Sequence, residues 1–148
     1  MSLPIFLDTN IPIYAAGQPH ALRDPCREII RLVVAHPAAF FANSEVLQEL
    51  LHRYRAVHRW SQGKGVFERF AALMRDRIEP IYAEDVESAA SLADRLPGLS
   101  SRDLIHLTVM ARVGADQIVS ADRGFDRVPG VTRLDPAHLS AWRAEVEA

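Results

Sequence analysis

Leu3-Pro4-Ile5-Phe6-Leu7-Asp8 is an apolar run that stops at a carboxylate. An uninterrupted apolar run of this length is typical of a strand that is buried on both faces, as in a parallel sheet. Asn10 can cap the turn that follows, in which Pro12 stands early. Because open parallel sheets bind ligands beyond the carboxyl ends of their strands, Asp8 is the first candidate for a functional site.

The rest of the chain alternates short apolar runs with helical patterns. Further strands are expected at 38–42, 78–82, 117–120 and 131–134. Helices are expected at 24–35, 44–58, 66–77, 84–96 and 100–113, with a last one opened by Asp135-Pro136 and a loop over 60–65. This order predicts one α/β domain over residues 1–148, a three-layer sandwich with a short, mainly parallel sheet flanked by helices.

Composition narrows the class of protein. The 148 residues are 49% hydrophobic and 24% charged, as in ordinary globular domains. No apolar run has the length of a membrane span, and the start lacks the pattern of a secretory signal. Cys26 is the only cysteine, so we expect a cytoplasmic protein in which Cys26 is a small buried hydrophobe. Lys64 is the only lysine, and its neighbours do not form a phosphate-binding loop, which disfavours P-loop and Schiff-base chemistry.

Two aspartates stand out among the acidic residues. Asp8 and Asp122 each directly follow a predicted strand, so both should point into the crevice at the carboxyl edge of the sheet. Other acids have simple explanations as helix caps, first-turn residues or turn residues: Asp24, Asp135, Glu84, Asp85 and Asp116.

Two helix-borne acids could join them. Glu49 lies about 60° outside the apolar arc of its helix, whereas Glu45 lies nearer the middle of the polar face. The alternative for Glu49 is an ordinary ion pair with Arg53, worth about 0.2–0.5 kcal/mol. The sequence leaves both interpretations open.

Asp103 also has two interpretations. Ser100-Ser101-Arg102-Asp103 fits a capping box, in which the acid only serves the helix start. Against this, the helix is apolar nearly all round, which would bring its N-terminal acid to the edge of the core beside the strand ends. His106 lies one turn later and could line the same site, although a core or supporting histidine is more common than a ligand.

Four converging carboxylates would repel one another and are costly to desolvate, so such a cluster needs a cation. All-oxygen ligation suits Mg²⁺ or Mn²⁺ rather than zinc. Divalent metal held by carboxylates is a usual apparatus for phosphodiester hydrolysis, because it activates water and neutralises the phosphate.

Four segments of the chain resemble the motifs of the PIN-domain nucleases and, among these, the VapC-type toxins of toxin–antitoxin pairs. They stand in the family's order and are Ile5-Phe6-Leu7-Asp8-Thr9-Asn10, Ser44-Glu45-Val46-Leu47-Gln48-Glu49-Leu50, Ser101-Arg102-Asp103-Leu104-Ile105-His106-Leu107 and Ile118-Val119-Ser120-Ala121-Asp122-Arg123-Gly124-Phe125-Asp126.

The resemblance implies a catalytic and metal-binding set of Asp8, Glu49, Asp103 and Asp122, supported by Thr9, Asn10, Ser120 and Asp126. It also implies Mg²⁺ or Mn²⁺ as cofactor, an RNA substrate, a homodimer and a small antitoxin protein that blocks the site. The activity to expect is therefore that of a metal-dependent endoribonuclease acting as a toxin.

A basic cluster near residue 55 is the candidate RNA-binding surface, formed by Arg53, Arg55, Arg59 and Lys64, with Trp60 as a stacking aromatic. The alternative is a helix C-terminus whose cations complement the helix dipole.

Two other functions compete with that of a metal-dependent nuclease. Phosphotransfer through an aspartyl-phosphate at Asp8 is disfavoured, because the second aspartate that it requires is replaced by Asn10 and the late lysine is absent. The other rival is a non-catalytic RNA- or partner-binding module with the PIN fold, and retention of all four acids argues against it.

Overall fold

The computed structural model describes residues 2–148. Five short strands form one sheet: β1 (Ile5–Leu7), β2 (Phe40–Asn43), β3 (Ile78–Glu79), β4 (Gln117–Val119) and β5 (Thr132–Leu134). Their order across the sheet is β3-β2-β1-β4-β5, and every neighbouring pair is parallel. The predicted fold class is confirmed, with a sheet that is parallel throughout.

Seven helices flank this sheet: α1 (Asn10–Ala16), α2 (Arg23–Ala35), α3 (Ser44–Ala56), α4 (Trp60–Leu73), α5 (Ala83–Ala93), α6 (Ser101–Val113) and α7 (Leu139–Glu147). Short 3₁₀ turns occupy Pro37–Ala39, Arg123–Arg127 and Pro136–His138. Within residues 2–148, no helix combines the length and the apolar character that a bilayer crossing requires.

The central strand β1 and its neighbour β2 are buried along their whole length. Phe6 of β1 packs edge-on against Phe41 of β2, with ring centroids 5.3 Å apart. Cys26 is buried in the same core, as expected. Each large apolar side chain that is removed from water contributes about 1.5–3 kcal/mol, so the core holds β1 and β2 in a fixed position.

Strand register decides which polar residues meet. Leu7 pairs with Val119 and Phe6 with Phe41, so Asp8, Ser120 and Asn43 lie at the same carboxyl edge of the sheet. The chain continues from β1 to β2 on one side, whereas β4 lies on the other side. The crevice beyond Asp8 is therefore at the topological switch point, where open α/β sheets bind ligands.

Local helix starts differ from the sequence expectation in two places. Asp24 was expected to cap α2, but Leu22 occupies the cap position and Asp24 lies in the first turn. Asn10 makes no cap for α1, because it is the first residue of that helix and its Oδ1 accepts a hydrogen bond from Ala121 N instead. Asp135 does act as a cap, accepting a hydrogen bond from Ala137 N at the 3₁₀ turn that precedes α7.

The expected loop over 60–65 is wrong, because α4 begins at Trp60. Gly63 is buried in this helix, and a Cβ atom there would collide with the Tyr54 ring of α3. This glycine therefore permits close helix packing rather than a turn. Trp60 packs against Phe67 of the same helix, with ring centroids 6.0 Å apart.

Candidate metal centre

An open cavity of about 250 Å³ lies beyond the carboxyl ends of β1 and β4. All four predicted acids line it, although they come from separate parts of the chain: Asp8 follows β1, Asp122 follows β4, and Glu49 and Asp103 come from α3 and α6. The other lining residues are Asn10, Arg53, Ser100 and Arg102.

Asp8 is the buried floor of the cavity, with 4% of its surface exposed. Its Oδ1 accepts a hydrogen bond from Thr9 N at 2.7 Å, and its Oδ2 accepts bonds from Ser120 Oγ at 2.6 Å and Asn10 Nδ2 at 3.2 Å. Burial raises the pKa of Asp8 to about 6 even though the bonds from Ser120 and Thr9 oppose the rise. The negative charges of Glu49 and Asp122 add to it.

Ser120 joins this floor to the loop that carries Asp122. Its hydroxyl donates to Asp8 and accepts hydrogen bonds from Asn10 Nδ2 at 3.1 Å and from Asp122 N at 3.0 Å, so its hydrogen-bonding capacity is filled. Asn10 Oδ1 accepts a bond from Ala121 N at 3.2 Å. The expected supporting residues Asn10 and Ser120 therefore touch Asp8 directly, whereas Thr9 does so through its backbone.

Asp122 is the exposed acid of the set. It occupies the cap position of the 3₁₀ turn Arg123–Arg127, where its Oδ1 accepts a hydrogen bond from Gly124 N at 2.8 Å. The turn therefore fixes one carboxylate oxygen of Asp122 at the rim of the cavity.

The backbone of Asp103 takes part in the cap of α6, whereas its carboxylate lines the cavity. Ser100 caps α6, because its Oγ accepts a hydrogen bond from Asp103 N at 3.2 Å. Within residues 2–148, no bond returns from the Ser100 amide to the Asp103 carboxylate, so the capping box is half-formed and the carboxylate lines the cavity. Burial, followed by the charges of Asp8 and Asp122, raises the pKa of Asp103 to about 7.

Glu49 lies between two guanidinium groups. Arg53 Nη1 is 3.9 Å from its Oε2 and Arg102 Nε is 3.9 Å from its Oε1, while its own side chain is only 12% exposed. The expected ion pair with Arg53 thus exists together with the cavity position. Arg102 is the residue that sequence reasoning missed, and its only signal was its place beside Asp103.

Several expected site residues lie elsewhere. Asp126 pairs with Arg133 at 2.9 and 3.2 Å, and Arg133 in turn donates to Ser120 O at 3.0 Å, so Asp126 reaches the centre only indirectly. Of the four predicted RNA-binding cations, Arg53 lines the cavity and the other three do not: Arg55, Arg59 and Lys64.

His106 of α6 is fully buried beneath the acids. Its Nδ1 is 3.0 Å from Asn43 Nδ2, and its Nε2 is 3.8 Å from Asp8 Oδ1. Burial, followed by the charge of Arg102, lowers its pKa to about 3, so the ring is neutral. Single ligand-type atoms of Asp8, Glu49 and His106 all lie within 4.8 Å of one another.

The donor set fits a hard divalent cation. Asp8 and Asp103 both have raised pKa values because burial and neighbouring negative charge penalise their ionised forms. A cation in the cavity would remove that penalty, and carboxylate oxygens are the ligands that Mg²⁺ and Mn²⁺ prefer. Ligand atoms of Asp8 and Glu49 lie within 4.8 Å of each other, and Asp103 and Asp122 line the same cavity.

Comparison with known proteins identifies relatives over most of the chain. The family model described as PIN domain matches residues 5–131. Ribonuclease VapC23 of Mycobacterium tuberculosis is 39% identical over 118 residues, which cover 80% of this chain and 92% of that protein. Ribonuclease VapC7 of the same organism is 33% identical over 122 residues, which cover 82% and 83% respectively.

Solved structures share the fold at lower sequence identity. VapBC2 from Rickettsia felis, bound to a DNA fragment from its promoter, matches with a TM-score of 0.68 and 19% identity over 90% of this chain and 98% of that one. VapC20 of Mycobacterium tuberculosis, a toxin that cleaves the sarcin–ricin loop, matches with a TM-score of 0.65 and 18% identity over 86% and 98%.

Repulsion between the acids predicts how one neutralisation changes stability. The folded-state pKa of Asp103 lies above its ordinary value of 3.8, so the folded chain binds more protons and loses stability as the pH rises from about 4 to about 7. Asp103→Asn should therefore unfold at the same or a higher temperature than wild type at pH 7.5 in EDTA, with a gain of about 1 kcal/mol. The substitution is made at Asp103 and not at Asp8, because the NH₂ group of an amide at position 8 would face other hydrogen-bond donors.

Thermal melts in EDTA measure the effect of the neutralised charge, and melts in millimolar Mn²⁺ measure the effect of metal binding. Mn²⁺ should raise the melting temperature of wild type by mass action and raise that of Asp103→Asn much less. A variant that melts well below wild type in EDTA, together with no shift by metal in either protein, would show that these acids are structural.

Proposed function

The chain belongs to the PIN-domain family, and we propose that it is a divalent-metal-dependent endoribonuclease of the VapC type. The observation that carries the proposal is the convergence of Asp8, Glu49, Asp103 and Asp122 on one cavity at the sheet's switch point. Relatives named as ribonucleases support RNA as the substrate. Residues 1–148 form the nuclease domain in this proposal.

Asp8 is the anchor of the proposed centre. Three hydrogen bonds hold its carboxylate in one orientation before any ligand arrives, so its oxygens need little reorganisation to receive Mg²⁺ or Mn²⁺. When bound, the metal supplies activation of a water molecule and neutralisation of the phosphate. Asp103, Asp122 and Glu49 line the same cavity and would help Asp8 to hold the cation.

Arg53 and Arg102 bind the polyanionic substrate at the rim of the cavity. Both guanidiniums are 3.9 Å from Glu49, which is longer than a hydrogen bond, and both side chains are partly exposed. An RNA phosphate can therefore compete for them and gain charge-assisted hydrogen bonds. Further along α3 and α4, the exposed Arg55, Arg59 and Lys64 extend positive charge away from the cavity.

The alternative is a PIN-fold module that binds RNA or a protein partner without cutting. The raised pKa values of Asp8 and Asp103 favour the enzyme, because a purely structural role would not require carboxylates that destabilise one another. Cleavage that depends on added metal decides between the two functions.

Each of the four acids should be needed for cleavage. Asp8→Asn, Glu49→Gln, Asp103→Asn and Asp122→Asn are each expected to lower the Mn²⁺-dependent rate by about 100-fold or more, since each removes a charge from the cation site. The measurement is the initial rate on total RNA, with new 5′ ends mapped and folding checked by circular dichroism.

Glu45→Gln and Asp126→Asn are the matched controls, because neither residue lines the cavity, and both should keep most of the activity. A folded Asp103→Asn protein that cleaves at the wild-type rate would exclude the Asp103 carboxylate from the catalytic set. Near-total loss in Glu45→Gln would mean that the wrong glutamate was assigned.

We also propose that the chain is a cytoplasmic, homodimeric toxin neutralised by a small antitoxin. Solved VapBC complexes share its fold, and the acidic cavity suits a basic side chain from a partner. Expression of the chain alone should arrest growth, whereas co-expression of a protein encoded by the neighbouring gene should restore it. Asp122→Asn is the inactive control and should be harmless. Normal growth with folded, soluble wild-type protein would refute the toxin role while leaving the nuclease proposal intact.

A further inference from the structure

His106 carries a buried polar atom that the described network leaves without a partner. The side chain is fully buried, and among residues 2–148 its Nε2 makes no hydrogen bond. Buried donors and acceptors are nearly always paired, so this exception needs an explanation. Nε2 points toward the acidic cavity, 3.8 Å from Asp8 Oδ1, which is longer than a hydrogen bond.

The other ring nitrogen fixes the tautomer. Asn43 caps α3 with its Oδ1, which accepts a hydrogen bond from Val46 N at 3.0 Å. Its Nδ2 is therefore the group that faces His106, and it donates to Nδ1 at 3.0 Å. A neutral imidazole has one N–H, so the hydrogen-bond network assigns that proton to Nε2.

This tautomer decides whether His106 can act as a metal ligand together with Asp8 and Glu49. By distance alone, the three side chains could supply three metal ligands. A protonated Nε2 has no free lone pair and cannot bind a cation. Its N–H instead faces Asp8 Oδ1 at 3.8 Å, which can accept it after an approach of about 1 Å, and a carboxylate oxygen of Glu49 belongs to the same cluster.

We propose that His106 is a positioning residue which donates its Nε2–H between Asp8 and Glu49 and thereby keeps nitrogen out of the metal centre. The centre then selects cations that prefer oxygen, such as Mg²⁺, against Zn²⁺, which binds imidazole well. This inference rests on the proposed metal-dependent function, but the tautomer on which it depends can be measured without RNA cleavage.

Asn43→Asp should reverse the arrangement. Aspartate caps a helix as well as asparagine does, so α3 keeps its start. Its second oxygen can only accept, however, so a neutral His106 must carry its proton on Nδ1, which leaves the Nε2 lone pair free for a metal. The variant should gain a nitrogen ligand that wild type does not offer.

The first measurement is long-range ¹H–¹⁵N NMR of histidine-labelled wild type, in EDTA and with Mg²⁺. His106 should show a protonated Nε2 and an unprotonated Nδ1 in both states. A protonated Nδ1 in either state, or a Nε2 signal typical of metal ligation, would overturn the proposal. Absence of RNA cleavage alongside the expected spectrum would reject the proposed function and leave the tautomer assignment standing.

The second measurement is calorimetric titration of Zn²⁺ and Mg²⁺ into wild type and Asn43→Asp. The ratio of Zn²⁺ to Mg²⁺ affinity should rise about tenfold or more in the variant. Gln48→Glu is the charge control, because it adds the same charge on the exposed face of α3, next to Glu49. It should raise the affinities for Zn²⁺ and Mg²⁺ by the same factor. An equal rise of the ratio in both variants, or no rise in Asn43→Asp, would contradict the proposal.

His106→Gln and His106→Leu cover the case in which Asn43→Asp does not fold. Glutamine keeps an N–H donor but offers no nitrogen ligand, so Mg²⁺ and Zn²⁺ affinity should stay within about threefold of wild type. Leucine removes the donor and should lower Mg²⁺ affinity about tenfold or more. Loss of Zn²⁺ binding in both variants with Mg²⁺ binding unchanged would show that His106 is a ligand.

Discussion

The hydrogen bond from Ser120 Oγ to Asp8 Oδ2 joins the carboxyl ends of two adjacent parallel strands, and the candidate site is built around it. Parallel register brings the two residues together, and the buried strands on both sides keep them there. The same hydroxyl accepts a hydrogen bond from the Asp122 backbone amide, so the position of Asp122 follows from that of Asp8. The fold thus determines where negative charge accumulates before any ligand is present.

Accumulated negative charge explains both proposed forms of the protein, the one that binds metal and the one that binds an antitoxin. Asp8 and Asp103 have raised pKa values because they are buried beside other acids, so the cavity gains free energy from any cation that it admits. A divalent metal is one such cation, and a basic side chain of an antitoxin is another. Arg53 and Arg102 already approach Glu49 without reaching hydrogen-bond distance. The same electrostatic property therefore underlies both the proposed metal-dependent activity and the proposed inhibition by a partner.

Sequence reasoning reached the parts of the site that depend on local pattern. Asp8 and Asp122 follow apolar strands, and Glu49 stands at the margin of a helical stripe. It could not find Arg102 or the tautomer of His106, because these depend on contacts between distant segments, such as Asn43 with His106. It also misassigned 60–65, because a glycine that permits close packing, Gly63, has the same composition signal as a turn glycine.

The most direct test of the central claim is anomalous diffraction at the manganese edge from crystals soaked in Mn²⁺. The convergence of carboxylates predicts a peak in the cavity, with oxygens of Asp8 and of Asp103 or Asp122 about 2.0–2.2 Å from the ion. His106 Nε2 should lie outside that coordination shell. An empty cavity at saturating Mn²⁺, or an ion bound only at other carboxylates of the chain, would contradict the account.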